Sequence, residues 1–212
     1  MKKYLLLLVL CGVFGLNHAQ EATVKSDALL MFVHAGLGVL PDKTSGLTSS
    51  KSDYVGKLSS GLEWNIQIYH RHKRFISGLM YSGYSASGKL ENSSDKILTT
   101  YVAPQVGFNF PIVGDEFDIV LNAGIGGMWY RNNGSVFGNP RKVNGSTFGA
   151  NLGLKGVYNF TQNVGASLEI STIRANLYKT NNKYHDETIR VRYPDTLHLN
   201  QLTFSFGLKF SF

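Results

Sequence analysis

The stretch Leu202-Thr203-Phe204-Ser205-Phe206-Gly207-Leu208-Lys209-Phe210-Ser211-Phe212 ends the chain with an apolar side chain at every even position and Thr, Ser, Gly or Lys at every odd one. A period of two is that of a β-strand with one apolar face, because successive side chains leave a strand on opposite sides. A Phe-rich strand left as the free edge of a soluble sheet would fray and template aggregation. The alternation therefore predicts a last strand paired inside a closed sheet.

Seven earlier segments alternate in the same way. The first sets Leu29, Met31, Val33, Ala35, Leu37 and Val39 against His34, Gly36 and Gly38; the second sets Leu58, Leu62, Trp64, Ile66 and Ile68 against Lys57, Ser59, Glu63, Asn65 and Gln67. A third, near 75–87, has Phe75, Leu79 and Tyr81 competing with Ile76 and Met80, so its orientation stays open. The fourth opposes Val102, Val106, Phe108 and Phe110 to Tyr101, Gln105 and Asn109, with Pro104 tolerable only at a bulge or weakened rung. The fifth opposes Ile119, Leu121 and Ile125 to Asp118 and Asn122, the sixth Leu152 and Leu154 to Asn151 and Lys155, the seventh Leu168 and Ile170 to Ser167 and Glu169.

The connections alternate too. Residues 41–53, 88–96, 131–145 and 175–196 read as long polar loops, whereas His70 to Arg74, Pro111 to Glu116 and Phe160 to Gln162 are short turns. Short turns at one end and long loops at the other describe an up-and-down barrel, with both termini at the short-turn end.

At the other end of the chain, Lys2 and Lys3 precede the apolar run Tyr4 to Leu16 and then Asn17-His18-Ala19. This predicts a secretory signal peptide over 1–19, too short to span a bilayer, and a mature domain over 20–212. Loss of Lys2 and Lys3 lowers the formal charge from +7 to +5 and removes Cys11, the one cysteine, so no disulfide holds the exported chain. The remaining positive charge is too dispersed for nucleic acid. No HExxH, GxSxG or Cys/His ligand spacing is present, and His70, His72, His185 and His198 read as solvated or strand positions. No enzyme, metal or cofactor is expected.

Periodicity alone does not say which face points where. A lipocalin-like barrel would turn the apolar face inward around a ligand and leave Lys57, Glu63, Lys155 and Glu169 in water. A two-sheet sandwich would need Greek-key crossings that consecutive hairpins do not supply. The terminal Phe212, the lack of disulfides and the aromatic residues Trp64, Trp129, Tyr158, Phe108, Phe110 and Phe210 near the ends of the apolar bands favour a membrane barrel. With these features the chain resembles the OmpX/OmpA-transmembrane-like and PorT-like group of small outer-membrane β-barrel domains.

The resemblance implies an all-β fold, an eight-stranded antiparallel up-and-down transmembrane barrel in a Gram-negative outer membrane with periplasmic termini. It also implies that Phe204, Phe206, Leu208, Phe210 and Phe212 are a terminal signal read by the barrel-assembly machinery. Eight strands enclose a lumen that side chains fill. The polar face would supply Lys57, Glu63, Gln105, Asp118, Lys155, Glu169 and Lys209, with Lys155 and Glu169 as neighbours across a short turn. In the last loop, Lys179, Lys183, Arg190 and Arg192 are candidate contacts for lipopolysaccharide phosphates or a surface or secretion partner. A monomer is expected. The alternatives are a small-solute pore or a lipid-modifying enzyme.

Overall fold

The structure is a computed structural model that describes residues 27–40, 58–90, 93–114, 116–184 and 187–212. The expected signal peptide, Lys57 and the 41–53 connection lie outside these residues. The strands are β1 (Asp27–Val39), β2 (Ser60–His72), β3 (Phe75–Leu90), β4 (Ser93–Val113), β5 (Phe117–Val136), β6 (Asn139–Asn159), β7 (Val164–Tyr184), β8 (Glu187–His198) and β9 (Gln201–Ser211).

Every neighbouring pair is antiparallel, and the ring β1-β2-β3-β4-β5-β6-β7-β9 closes through β9 on β1. The ninth strand does not add a ring position. β8 and β9 share the flank of β7, β8 beside its far half and β9 beside its near half, interrupted at Leu199 and Asn200. Eight positions therefore form the wall. Closure also pairs the chain's end: Leu29 N donates to Phe212 O at 3.1 Å and Phe212 N to Leu29 O at 2.9 Å. No strand edge remains in that ring, which is the condition for a sheet to sit in hydrocarbon.

Burial answers the question of faces. Leu62, Ile125 and Leu168 are 68%, 70% and 66% exposed, whereas Lys155, Glu63 and Glu169 are 0%, 2% and 2% exposed. The apolar face is outside and the charges are inside, the reverse of a lipocalin. β3 turns Phe75, Leu79 and Tyr81 outward and Ile76 and Met80 inward. At Pro104 the ladder from β4 to β5 skips Ala103 and Pro104 without a change of register, so the missing N–H falls on an unpaired rung.

Three of the expected polar loops are corrected by the structure. Residues 88–96, 131–145 and 175–196 lie largely in β-hairpins, in which β3–β4, β5–β6 and β7–β8 continue their pairing past the wall. Their backbones satisfy one another, so these strands persist although neither face is continuously apolar. The turn ends, at Lys73, Gly114 and Thr161, lie together with both ends of the described chain.

Candidate functional site

The barrel interior is layered. Nearest the short turns, Leu30, Phe32, Tyr69, Ile76, Val120 and Val157 form a buried apolar cluster. A second apolar cluster, which includes Met80, Ile97, Tyr101, Met128, Ile173 and Leu177, fills the hairpin end. The polar residues lie chiefly between them. The expectation that polar side chains fill the lumen therefore needs correction: apolar layers bracket the polar one, because inward positions such as Leu30 and Phe32 alternate with an outward face that is apolar as well.

At the centre, Lys155 and Glu169 are directly opposite in the β6–β7 ladder, and Lys155 Nζ lies 3.2 Å from Glu169 Oε1. Lys155 also donates to Asn122 Oδ1 at 2.6 Å, and its ammonium is 5.5 Å from the ring centres of Phe32 and of Tyr69. Gln67 Nε2 donates to Glu169 at 3.0 and 3.1 Å, and Asn65 Nδ2 donates to Glu169 Oε2 at 3.2 Å. Tyr69 Oη in turn donates to Gln67 Oε1 at 2.6 Å, which fixes the amide. Each partner of this buried ion pair thus has further hydrogen bonds, the condition under which burying two charges is tolerable.

His34 joins the same network and was not among the expected lumen residues. Its Nε2 is 2.8 Å from Ser167 Oγ, its Nδ1 3.1 Å from Asn65 Oδ1 and 3.4 Å from Glu169 Oε2. These contacts cross a glycine: Gly207 lies between His34 and Ser167 in the ladders, and a Cβ there would collide with the His34 ring. The same device recurs where Gln105 Nε2 donates to Asn151 Oδ1 at 2.8 Å across Gly124. Gly153 is a third case, since a Cβ would stand 2.7 Å from Asn122 Oδ1 and 3.0 Å from Glu169 Oε1. Inward glycines are the space into which the network's side chains reach.

Glu63 is placed differently. Asn65 and Ser82 donate to its Oε1 at 3.0 and 3.1 Å, but Oε2 is buried without a hydrogen-bond partner. Asp118 and Lys209 meet near the short turns, 3.9 Å apart, with Asn159 between them: Lys209 donates to Asn159 at 2.7 Å, and Asn159 donates to Asp118 at 3.1 Å. The terminal residues Phe204, Phe206 and Leu208 point outward, and Phe212 is exposed beyond the last ladder pair. Lys179, Lys183 and Arg190 are exposed on the β7–β8 hairpin, with Arg192 opposite Lys179 in the ladder. Among the described residues no group of His, Cys, Asp and Glu could hold a metal ion.

A closed sheet with apolar residues outside and charges inside defines a membrane β-barrel. Residues 5–212 match the outer membrane protein beta-barrel domain, and the chain belongs to that family of outer-membrane proteins. No curated protein matches the chain by sequence. Among solved structures, a major outer membrane protein from Thermus thermophilus aligns at 9% identity and a TM-score of 0.65, covering 88% of this chain and 100% of that one. The attachment invasion locus protein Ail of Yersinia pestis aligns at 13% identity and 0.50, covering 89% and 100%. The outer membrane protease OmpT from Escherichia coli aligns at 10% identity and 0.51, covering 89% and 98%. An attachment protein and a protease share this architecture, so the likeness is one of fold.

Proposed function

We propose that this protein is a sealed, monomeric outer-membrane barrel that acts through its protruding hairpins, in contact with lipopolysaccharide or an anionic surface or secretion partner, and is neither a pore nor an enzyme. The observation that carries the reading is the contrast between a side-chain-filled interior and a β7–β8 hairpin that carries exposed Lys179, Lys183 and Arg190 beyond the wall. Charges held on paired strands lose less freedom on binding than charges on a loose loop. In this reading residues 1–19 direct export, the termini are periplasmic, and Phe204, Phe206, Leu208, Phe210 and Phe212 guide insertion by the barrel-assembly machinery. Deletion of Phe212 then leaves export intact and lowers the fraction of heat-modifiable, membrane-inserted protein; unchanged insertion contradicts that part.

Replacement of Lys179, Lys183, Arg190 and Arg192 by Gln tests the hairpin. Binding of the refolded barrel to lipopolysaccharide should fall, and the difference from the parent protein should shrink at high salt because exposed charges are screened. Binding that is the same in both proteins at both salt concentrations overturns the hairpin's role. A small-solute pore would instead show discrete conductance steps in planar bilayers.

A further inference from the structure

On the outer surface of the wall, β7 departs from regular pairing on both sides. Its register with β6 shifts between Asn144 and Gly149, and its register with β8 shifts between Leu177 and Lys179. Next to these shifts the chain leaves β8 and enters β9 at Leu199 and Asn200. The β6–β7 ladder lapses there between Asn144 and Gly149, while β7 stays paired on its other side, and over this place lies an open cleft of about 640 Å³.

Its lining includes Arg174, His198, Asn176, Asn200 and Thr147, and contains no carboxylate. Arg174 is exposed and has no ion-pair partner among the described residues. Asn176 Oδ1 lies 2.8 Å from His198 Nδ1, which holds the imidazole at the rim. A planar guanidinium with amide donors around it matches the oxygens of a phosphate group.

Position decides what kind of phosphate. Along the outward face of β7, Leu168 and Ile170 give way through Thr172 to Arg174 and Asn176; along β9, Leu202 gives way to Asn200. The cleft thus lies at the hairpin-side margin of the apolar belt. Ile125 and Phe148, 70% and 80% exposed, belong to both the belt and the cleft lining. An amphiphile can lay its chains on these side chains while its headgroup reaches Arg174.

We infer that the Arg174–His198–Asn200 cleft is a binding site for the phosphorylated headgroup of a lipid in the leaflet on the hairpin side. The site rests on the membrane placement of the barrel and not on the four hairpin cations. The test uses the full chain folded in a maltoside detergent, which carries no phosphate, and titrates bisphosphorylated lipid A, its enzymatically dephosphorylated form and inorganic phosphate. Lipid A should bind at least about tenfold more tightly than the dephosphorylated form, and Arg174→Gln, folded as judged by heat-modifiable migration, should weaken lipid A by about the same factor. Equal binding of the two lipid forms overturns the site without any variant. Inorganic phosphate binding as tightly as lipid A, with the same dependence on Arg174, marks a site for free anions and overturns the lipid assignment. Loss of binding in the four-Gln hairpin variant with no loss in Arg174→Gln supports the hairpin reading and overturns this one.

Discussion

Lys155 and Lys183 lie on adjacent strands of one hairpin ladder, yet they inhabit different solvents. Lys155 is fully buried between Glu169, Asn122 and two aromatic rings, whereas Lys183 is exposed on the hairpin opposite Lys142. The same residue type is a structural element in the first place and an available charge in the second. What distinguishes them is whether every polar partner is fixed in advance by neighbouring strands. An interior charge must be matched or it destabilises the barrel; a hairpin charge can be removed with little effect on folding.

The comparison is broken most severely at Glu169. Glu169→Leu leaves Lys155 as an uncompensated buried cation and should lower unfolding stability by about 3–5 kcal/mol. The double change with Lys155→Met removes the charge mismatch and should recover a large part of that loss. Equal losses in urea unfolding for the single and double variants would show that the two groups act independently. Gly153→Ala should come next, at about 1–3 kcal/mol, because its methyl group would press on Asn122 and on the Glu169 carboxylate. A loss as small as that of an exposed strand glycine would deny the network its dependence on space.

Glu63 sharpens the contrast within the interior. Its Oε2 has no hydrogen-bond partner, so Glu63→Gln removes a charge that the surroundings satisfy only in part. Stability should stay level or rise by about 1 kcal/mol, the opposite sign to Glu169→Gln. A loss as large as that at Glu169 would mean that Glu63 has a charged partner. At the weak end, the four-Gln hairpin variant should alter unfolding stability by no more than about 0.5 kcal/mol while it alters binding.

The wall was legible in the sequence because one residue in two along β2, β6, β7 and β9 is apolar and its neighbour is not. The hairpins were less legible for the same reason. Residues such as Lys179, Thr180, Asn181 and Asn182 are polar on both faces, so alternation gives no signal, and backbone pairing with β8, joined at Asn181 and Asn182 by pairing with β6, keeps them extended. Polar inward positions such as Gln105 could be picked out singly, and Lys155 with Glu169 as a pair across their short turn. The other bridges could not, since His34 meets Ser167 across Gly207 only once the registers of three strands are known. The apolar layers were hidden at β1, where Leu29, Leu30, Met31 and Phe32 read as one continuous apolar run; that run itself was the available sign of a segment buried on one side and lipid-facing on the other.

The central claim is that the alternation at Leu202 to Phe210 separates bilayer from sealed lumen. Spin labels placed one at a time at positions 202–206, 208 and 209 of the barrel reconstituted in lipid vesicles test it directly, Gly207 being left intact because a side chain there would displace His34. The labels at 202, 204, 206 and 208 should show high accessibility to dissolved oxygen, and those at 203, 205 and 209 should be protected from oxygen and from a water-soluble nickel chelate. A uniform response along the strand, or nickel access at the odd positions, would contradict a closed barrel with a filled interior.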